Sequence, residues 1–204
     1  DAIAEIKDKG ALPKELANLQ RAGVSGWFSF YVGPDSKKSS ENISYLNQGG
    51  IGLPDESYYR DEKYKSMRAA YVAHIEKMLT LAKRKDPKEA AARIMEMETA
   101  IAKGHWDNVR NRDAEKTYNK VSRADLKTLA KGLDLDPWFE AIGVGKIKEL
   151  IVGQPSFMTD LAKVVDQFSV DDWKNYLSWR VINGRASLLS QPFVNEHFEF
   201  FGKT

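Results

Sequence analysis

Any chemistry in this chain starts from few groups. It holds three histidines and no cysteine. Thiol nucleophiles, disulfides and cysteine metal clusters are therefore excluded together. A zincin-type helix needs His-Glu-x-x-His, because positions i and i+4 put two imidazoles on one face with the glutamate beside them as base. His74 is followed by Ile-Glu-Lys-Met, His197 by Phe-Glu-Phe-Phe, and His105 stands in Gly-His-Trp-Asp. None has a second histidine at that spacing. Glu196-His197-Phe198-Glu199 offers no substitute, since the wrong residue stands at every ligand spacing. His74 lies beside the apolar Tyr71, Ile75 and Met78, where a hydrogen-bonded, partly buried imidazole is expected rather than a ligand.

Other constellations are equally thin. No Gly-x-Ser-x-Gly elbow is present. Gly143-Val144-Gly145-Lys146 superficially resembles a phosphate loop, but the spacing is wrong and no strand precedes it, so it reads as a turn between helices. Glu96 and Glu98 are two apart on a helix and do not face each other. Asp171-Asp172 falls in the first turn of a helix, where acidic side chains favour the dipole. Lys83-Arg84-Lys85 falls in a last turn, where cations do the same. Tyr58 and Tyr59 could line a peptide cleft, but packing of a loop onto the following helix is favoured, with the hydroxyls satisfied at its rim. Arg180 reads as a structural ion-pair partner rather than a substrate clamp. The expected set of catalytic, cofactor-binding and metal-binding residues within 1–204 is therefore none.

The elements that would position such groups are mostly helical. The first 22 residues read as two short helices broken at Lys9-Gly10, with Pro13 opening the second. Trp27 to Val32 and Asn42 to Gln48 alternate in the manner of strands and predict a β-hairpin across the polar turn Asp35 to Ser40. Gly50 to Pro54 then makes a corner. Tyr64, Met67, Tyr71, Ile75, Met78 and Ala82 recur at steps of three and four, as do Ala90, Ile94, Met97 and Ile101. Ser122 with Asp125 resembles a capping box, opening a short helix that ends at Lys131-Gly132. Glu149 to Val152 predicts a short strand. Phe157, Leu161, Val164, Val165 and Phe168 form another apolar face. Ser169 and Asp172 open a long helix through Leu188, and a last short helix holds Phe193, Phe198 and Phe201. The expected fold is mainly α, a multi-helix domain over 1–204 with a small β-hairpin near the amino terminus.

Composition agrees with a folded chain. Of 204 residues, 42% are hydrophobic, and 31 Lys+Arg nearly cancel 29 Asp+Glu. A mixed charge without a basic face argues against nucleic acid. No apolar stretch approaches the roughly 20 residues a membrane span needs, and no signal peptide is visible. The chain begins with Asp rather than Met, so it reads as a segment, and the compartment, bacterial cytoplasm or outside the cell, is left open.

Four stretches in order resemble the M13 family of zinc metallopeptidases, the neprilysin and endothelin-converting-enzyme group. Trp27-Phe28-Ser29-Phe30-Tyr31-Val32 with Asp35-Ser36-Lys37 resembles its aromatic strand and Asp-x-Lys turn. Gly52-Leu53-Pro54 with Tyr58-Tyr59 resembles its Gly-Leu-Pro-x-x-x-Tyr-Tyr signature. Arg112-Asp113 and Tyr118-Asn119 are similar to its Arg-Asp…Tyr-Asn segment, and Tyr176-Leu177-Ser178-Trp179-Arg180 to its Leu-x-Trp-Arg helix. The missing cysteines fit a bacterial member. The resemblance implies an amino-terminal helical lid that caps a catalytic domain of the same polypeptide and restricts the enclosed chamber to peptide substrates. It places zinc on a His-Glu-x-x-His helix and a later Glu-x-x-x-Asp helix in the carboxy-terminal half, neither of which is in this chain. The alternative is a stand-alone helical module that binds a peptide or protein without catalysis.

Overall fold

The computed structural model describes residues 2–203. Helices dominate, and the hairpin expected near the amino terminus has become half of a four-stranded sheet. Strands β1 (Phe28–Asp35) and β2 (Lys38–Gln48) pair antiparallel. β3 (Asn119–Ser122) and β4 (Glu149–Val152) also pair antiparallel, and β4 runs parallel to β2, giving the order β1-β2-β4-β3. The hairpin is longer than its apolar alternation suggested. Lys37 N–H donates to Asp35 Oδ1 at 2.9 Å, so the turn closes on two residues and the polar flanks remain paired. β3 carries one large apolar residue, Val121, and is too short for alternation to reveal it.

The expected pair of helices before Arg21 is one helix, α1 (Leu12–Arg21), with Pro13 in its first turn. Before it stands only a 3₁₀ turn at Lys9–Ala11, capped by Asp8. The Gly-Leu-Pro corner leads into a single turn, α2 (Ser57–Arg60), and then α3 (Lys65–Leu81) and α4 (Pro87–Lys103) pack as neighbours. α5 (Asn108–Asn111) and α7 (Asp136–Ile142) were not anticipated; both are short, and α7 carries Pro137 in its first turn. α6 (Arg123–Leu129) opens on the expected Ser122–Asp125 capping box. α8 (Pro155–Gln167) buries Phe157, Leu161, Val164 and Val165 of the expected stripe, and Phe168, buried too, stands just past its end in extended backbone.

α9 (Val170–Gly184) stops short of Leu188. Gly184 weakens the last turn, a 3₁₀ turn follows at Ala186–Leu188, and Leu188 is exposed. In α10 (Gln191–Phe201) the buried residues are Glu196 and Phe200, while Phe198 and Phe201 face outward. Of the expected Phe193, Phe198 and Phe201, Phe193 alone packs against the smaller core.

Two cores share the helices. The larger one joins the inner face of the sheet to α1, α7, α8 and the start of α9, around Trp27, Trp138 and Trp173. Phe28 and Phe30 of β1 both meet Trp138 edge-on at 5.0 Å. The smaller core lies between α3, α4, the end of α9 and α10. α4 serves both, with Met97 and Ile101 in the first and Ile94 in the second.

The start of α9 rests on Ser169, whose Oγ accepts from Asp172 N–H at 3.1 Å while Asp172 Oδ2 accepts from Ser169 N–H at 2.9 Å. Arg93 of α4 pairs with the same carboxylate at 2.9 Å. Ser169→Ala should lower the unfolding free energy by about 1 kcal/mol in a urea titration, with the slope unchanged.

Candidate functional site

The corner at Gly50–Pro54 is held by a buried polar cluster. Gly50 has φ +86°, a conformation that suits glycine. Gly52 is needed for space, since a Cβ there would lie 1.9 Å from Tyr71 Oη. Gly52 N–H donates to Tyr59 Oη and to Glu98 Oε2, at 3.0 and 2.9 Å. Leu53 N–H donates to Tyr59 Oη at 2.9 Å. Tyr59 O–H then donates to Glu98 Oε2 at 2.6 Å, and Tyr71 O–H reaches the same carboxylate at 3.1 Å.

From the other side α9 closes in. Tyr176 O–H donates to Gly50 C=O at 2.8 Å, and Arg180 Nη1 donates to Ile51 C=O at 3.1 Å while lying 3.9 Å from Glu98 Oε1. Trp179 Nε1 reaches Tyr71 Oη at 3.3 Å.

Glu98 is fully buried. Burial pushes its carboxyl above the usual range, against the pull of Arg180 and the hydrogen bonds from Tyr59 and Gly52. Burial, with Glu98 next, also raises Tyr59 and Tyr71, so both hydroxyls stay protonated as donors. Tyr59 therefore anchors the corner, as expected, but from the buried centre and not from a rim. Tyr58 does lie outside, stacked on Tyr64 at 3.9 Å. Arg180 is the structural partner foreseen for it. Glu98 was passed over because it was weighed only against Glu96, which is surface-placed and paired with Arg93 at 2.7 Å. The missed signal is its place on the helix: it is four residues after Ile94 and three before Ile101, inside the apolar stripe.

A second polar link joins β1 to the segment before β3. Tyr118 O–H donates to Asp35 Oδ1 at 2.8 Å, and Lys120 lies 3.7 Å from the other oxygen. The backbone bond from Lys37 is the leading cause of a lowered Asp35. Asn119 Nδ2 donates to Val152 C=O at 3.1 Å. Asp113 accepts from the backbone N–H groups of Glu115 and Lys116. Gly143 has φ +94° at the end of α7, so Gly143–Lys146 is a turn between elements.

The histidines are structural in their contacts. His105 lies against Phe157 and bonds through Nε2 to Gly49 C=O at 2.8 Å. His74 Nδ1 lies 2.9 Å from Glu196 Oε1, and its ring stacks on Phe200 at 4.7 Å. Lys77 pairs with the same glutamate. α10 is thereby pinned to α3. His197 comes near, with ring centroids 6.2 Å apart, yet no group of three or more His, Asp or Glu among the described residues could hold a metal ion. The residues present do not fit zinc. Among the described residues no helix is long and apolar enough to cross a membrane.

Burial lowers His74, His105 and His197, each from 6.5. The unfolded chain then binds more protons than the native one near that pH, so stability falls as pH drops through 6.5. Thermal unfolding at stepped pH should show this decline, and His74→Gln should reduce it. Tyr59→Phe deprives Leu53 N–H of its acceptor and should cost about 1–3 kcal/mol. Urea titration measures the loss, and native stability in Tyr59→Ala would contradict an architectural role.

The model for peptidase family M13, in its amino-terminal part, matches residues 1–204. Endothelin-converting enzyme 1 of Rattus norvegicus is 27% identical over 185 residues, covering 87% of this chain and 24% of the relative. The zinc metalloprotease Zmp1 of Mycobacterium tuberculosis in its open state is 40% identical with a TM-score of 0.95, covering 99% of this chain and 32% of that one. The same enzyme in complex with an inhibitor gives 0.94. PepO from Lactobacillus rhamnosis HN001 shares the fold at a TM-score of 0.73 and 16% identity. This chain thus spans about a quarter of the first curated relative and a third of the Zmp1 chain.

Proposed function

The chain belongs to peptidase family M13, as its amino-terminal region, and from that premise we propose that residues 1–204 form the non-catalytic lid part of a zinc metalloendopeptidase. The observation that carries this reading is the family match over the whole chain, joined to a donor set that does not fit zinc. The zinc and the catalytic residues then belong to a part of the polypeptide outside these residues. The work of this segment is to bound the chamber, admitting peptides and excluding folded proteins, and to open and close over it. The lid reading assigns no residue within 1–204 a catalytic or metal-binding role.

Three features support the reading. The polar clusters described above hold backbone corners together and present no general acid, base or nucleophile to an open cleft. The fold matches Zmp1 in its open state and in its inhibitor complex at 0.95 and 0.94, and in a partial open state at 0.82. Phe198 and Phe201, 58% and 43% exposed, line one groove with Val194 near the carboxy-terminal end. Exposed apolar groups gathered at one place mark a surface that meets another body, here the remainder of the same chain. The partners are accordingly that catalytic part and the peptide substrates.

Zinc content and cleavage of a short quenched peptide, with and without chelator, test the proposal on the 204-residue chain and the natural-length protein side by side. Only the longer protein should hold zinc and cleave. Zinc and chelator-sensitive cleavage in the shorter one would overturn the proposal and direct attention to His74, His105 and His197. Absence of both from the natural-length protein would leave the binding-module alternative.

A further inference from the structure

β1 is an outer strand, and part of its free side is open. Leu46 C=O accepts from Gly153 N–H at 2.9 Å, and Gln48 N–H donates to Gln154 Oε1 at 2.8 Å. Both residues thus turn their backbone toward β4 and away from β1. Across the hairpin they oppose Phe30 and Phe28. In an antiparallel pair, backbone groups of residues opposed in this way point outward from both strands. Phe28, Phe30 and Val32 therefore aim N–H and C=O at the unpaired edge, with register unbroken as far as Pro34. Gln20 Nε2 takes Phe28 C=O at 2.8 Å. The outward groups of Phe30 and Val32 have no partner among the described residues.

Open edges invite pairing, and folded proteins usually blunt them. Here both ends are blunted and the middle is not. The register shifts between Pro34 and Asp35 at one end, and Gln20 covers the other. What remains is a short ladder, too short to recruit a second sheet. It is firmly backed, because Phe30 rests on buried Trp138.

A groove of about 420 Å³ extends from this edge past Gly49 and Gly50 to Arg180. That volume lies within the roughly 300–1,000 Å³ of small-ligand sites. Arg180 spends Nε and Nη1 on the carbonyls of Ser25 and Ile51, and Nη2 makes no hydrogen bond. Arg185 adds a second cation, its Nη2 lying 3.5 Å from where a Cβ on Gly23 would stand. No acidic residue lines the groove. A backbone ladder at one end and, at the other, the largely buried Arg180 guanidinium, which lies beside Glu98 but keeps Nη2 free of hydrogen bonds at the groove wall, suit a strand that terminates in a carboxylate.

We propose that this groove binds the carboxy-terminal end of a short extended peptide, which adds antiparallel to the edge of β1 and sets its terminal carboxylate at Arg180. Such binding needs no cleavage and does not depend on the lid reading. The site would hold a peptide product, or tether one end of a longer peptide.

The test uses the natural-length protein stripped of metal by chelator, with a labelled tetrapeptide of valine and threonine ending in a free carboxylate or in a carboxamide. Fluorescence anisotropy should show saturable binding of the acid and about tenfold weaker binding of the amide, the loss of one charge-assisted hydrogen bond. The acid should slow hydrogen exchange at Phe30 and Val32. Val32→Pro removes an outward N–H without touching the ladder to β2, a position where an edge strand tolerates proline. It should weaken the acid about fivefold with an unchanged Tm, while Val32→Thr binds as the parent does. Equal binding of acid and amide, or full affinity in Val32→Pro, would overturn the proposal, as would a dimer that Val32→Pro abolishes. A protein that never holds zinc or cleaves would sink the peptidase reading alone; one that cleaves but leaves the groove empty would sink only this site.

Discussion

One carboxylate in the smaller core ties four parts of the chain together. Glu98 has no solvent to hydrate it, so every lone pair it exposes must be answered by the protein. Tyr59 answers from the turn after the corner, Gly52 from the corner itself, and Tyr71 from α3. Arg180 supplies the opposite charge from α9. Were any of these to move, a buried polar group would be left without a partner. The cluster therefore specifies where α2, α3, α4 and α9 sit with respect to one another more than it adds to net stability, since buried ion pairs gain little over well-packed apolar groups.

The stretches that carry the family likeness meet in pairs. The aromatic strand and the Tyr-Asn segment join where Tyr118 bonds Asp35. The Gly-Leu-Pro corner and the Trp-Arg helix join at Gly50, Ile51 and Glu98. Residues far apart in the chain thus share one physical duty, the satisfaction of backbone and side-chain polar groups at two crossings. Neither crossing opens onto a cavity with an acid, a base and a nucleophile in reach of one another.

Helical stripes, both capping boxes and the strand Glu149–Val152 were legible in the sequence because each depends on neighbours within one or two turns. Glu98 was not, although its position in the stripe of Ile94 and Ile101 could have revealed it. A carboxylate on an apolar face is a signal of a buried polar network, which its spacing from Glu96 alone does not show. The proximity of His74, Glu196 and His197 was beyond reach, since a contact across 122 residues leaves no local pattern. The end of α9 was misjudged for a related reason. Leu188 keeps the helical period, but a weak last turn ended the helix before the period did.

The pairing of β2 with β4 has a consequence for how the chain is made. Its partners, Tyr45 with Ile151 and Leu46 with Val152, are far apart in the chain, and the bond from Gln48 to Gln154 beside them spans 106 residues. Synthesis at roughly 5–20 residues per second leaves an interval of about 5–20 s between the emergence of one partner and the other. During that time the hairpin has both edges free, and the apolar faces of β1 and β2 have no helices 7 and 8 to cover them. Nascent chains in this state are the ones that holding chaperones would meet. Order in the amino-terminal half is thus settled late, by residues that leave the ribosome well after it.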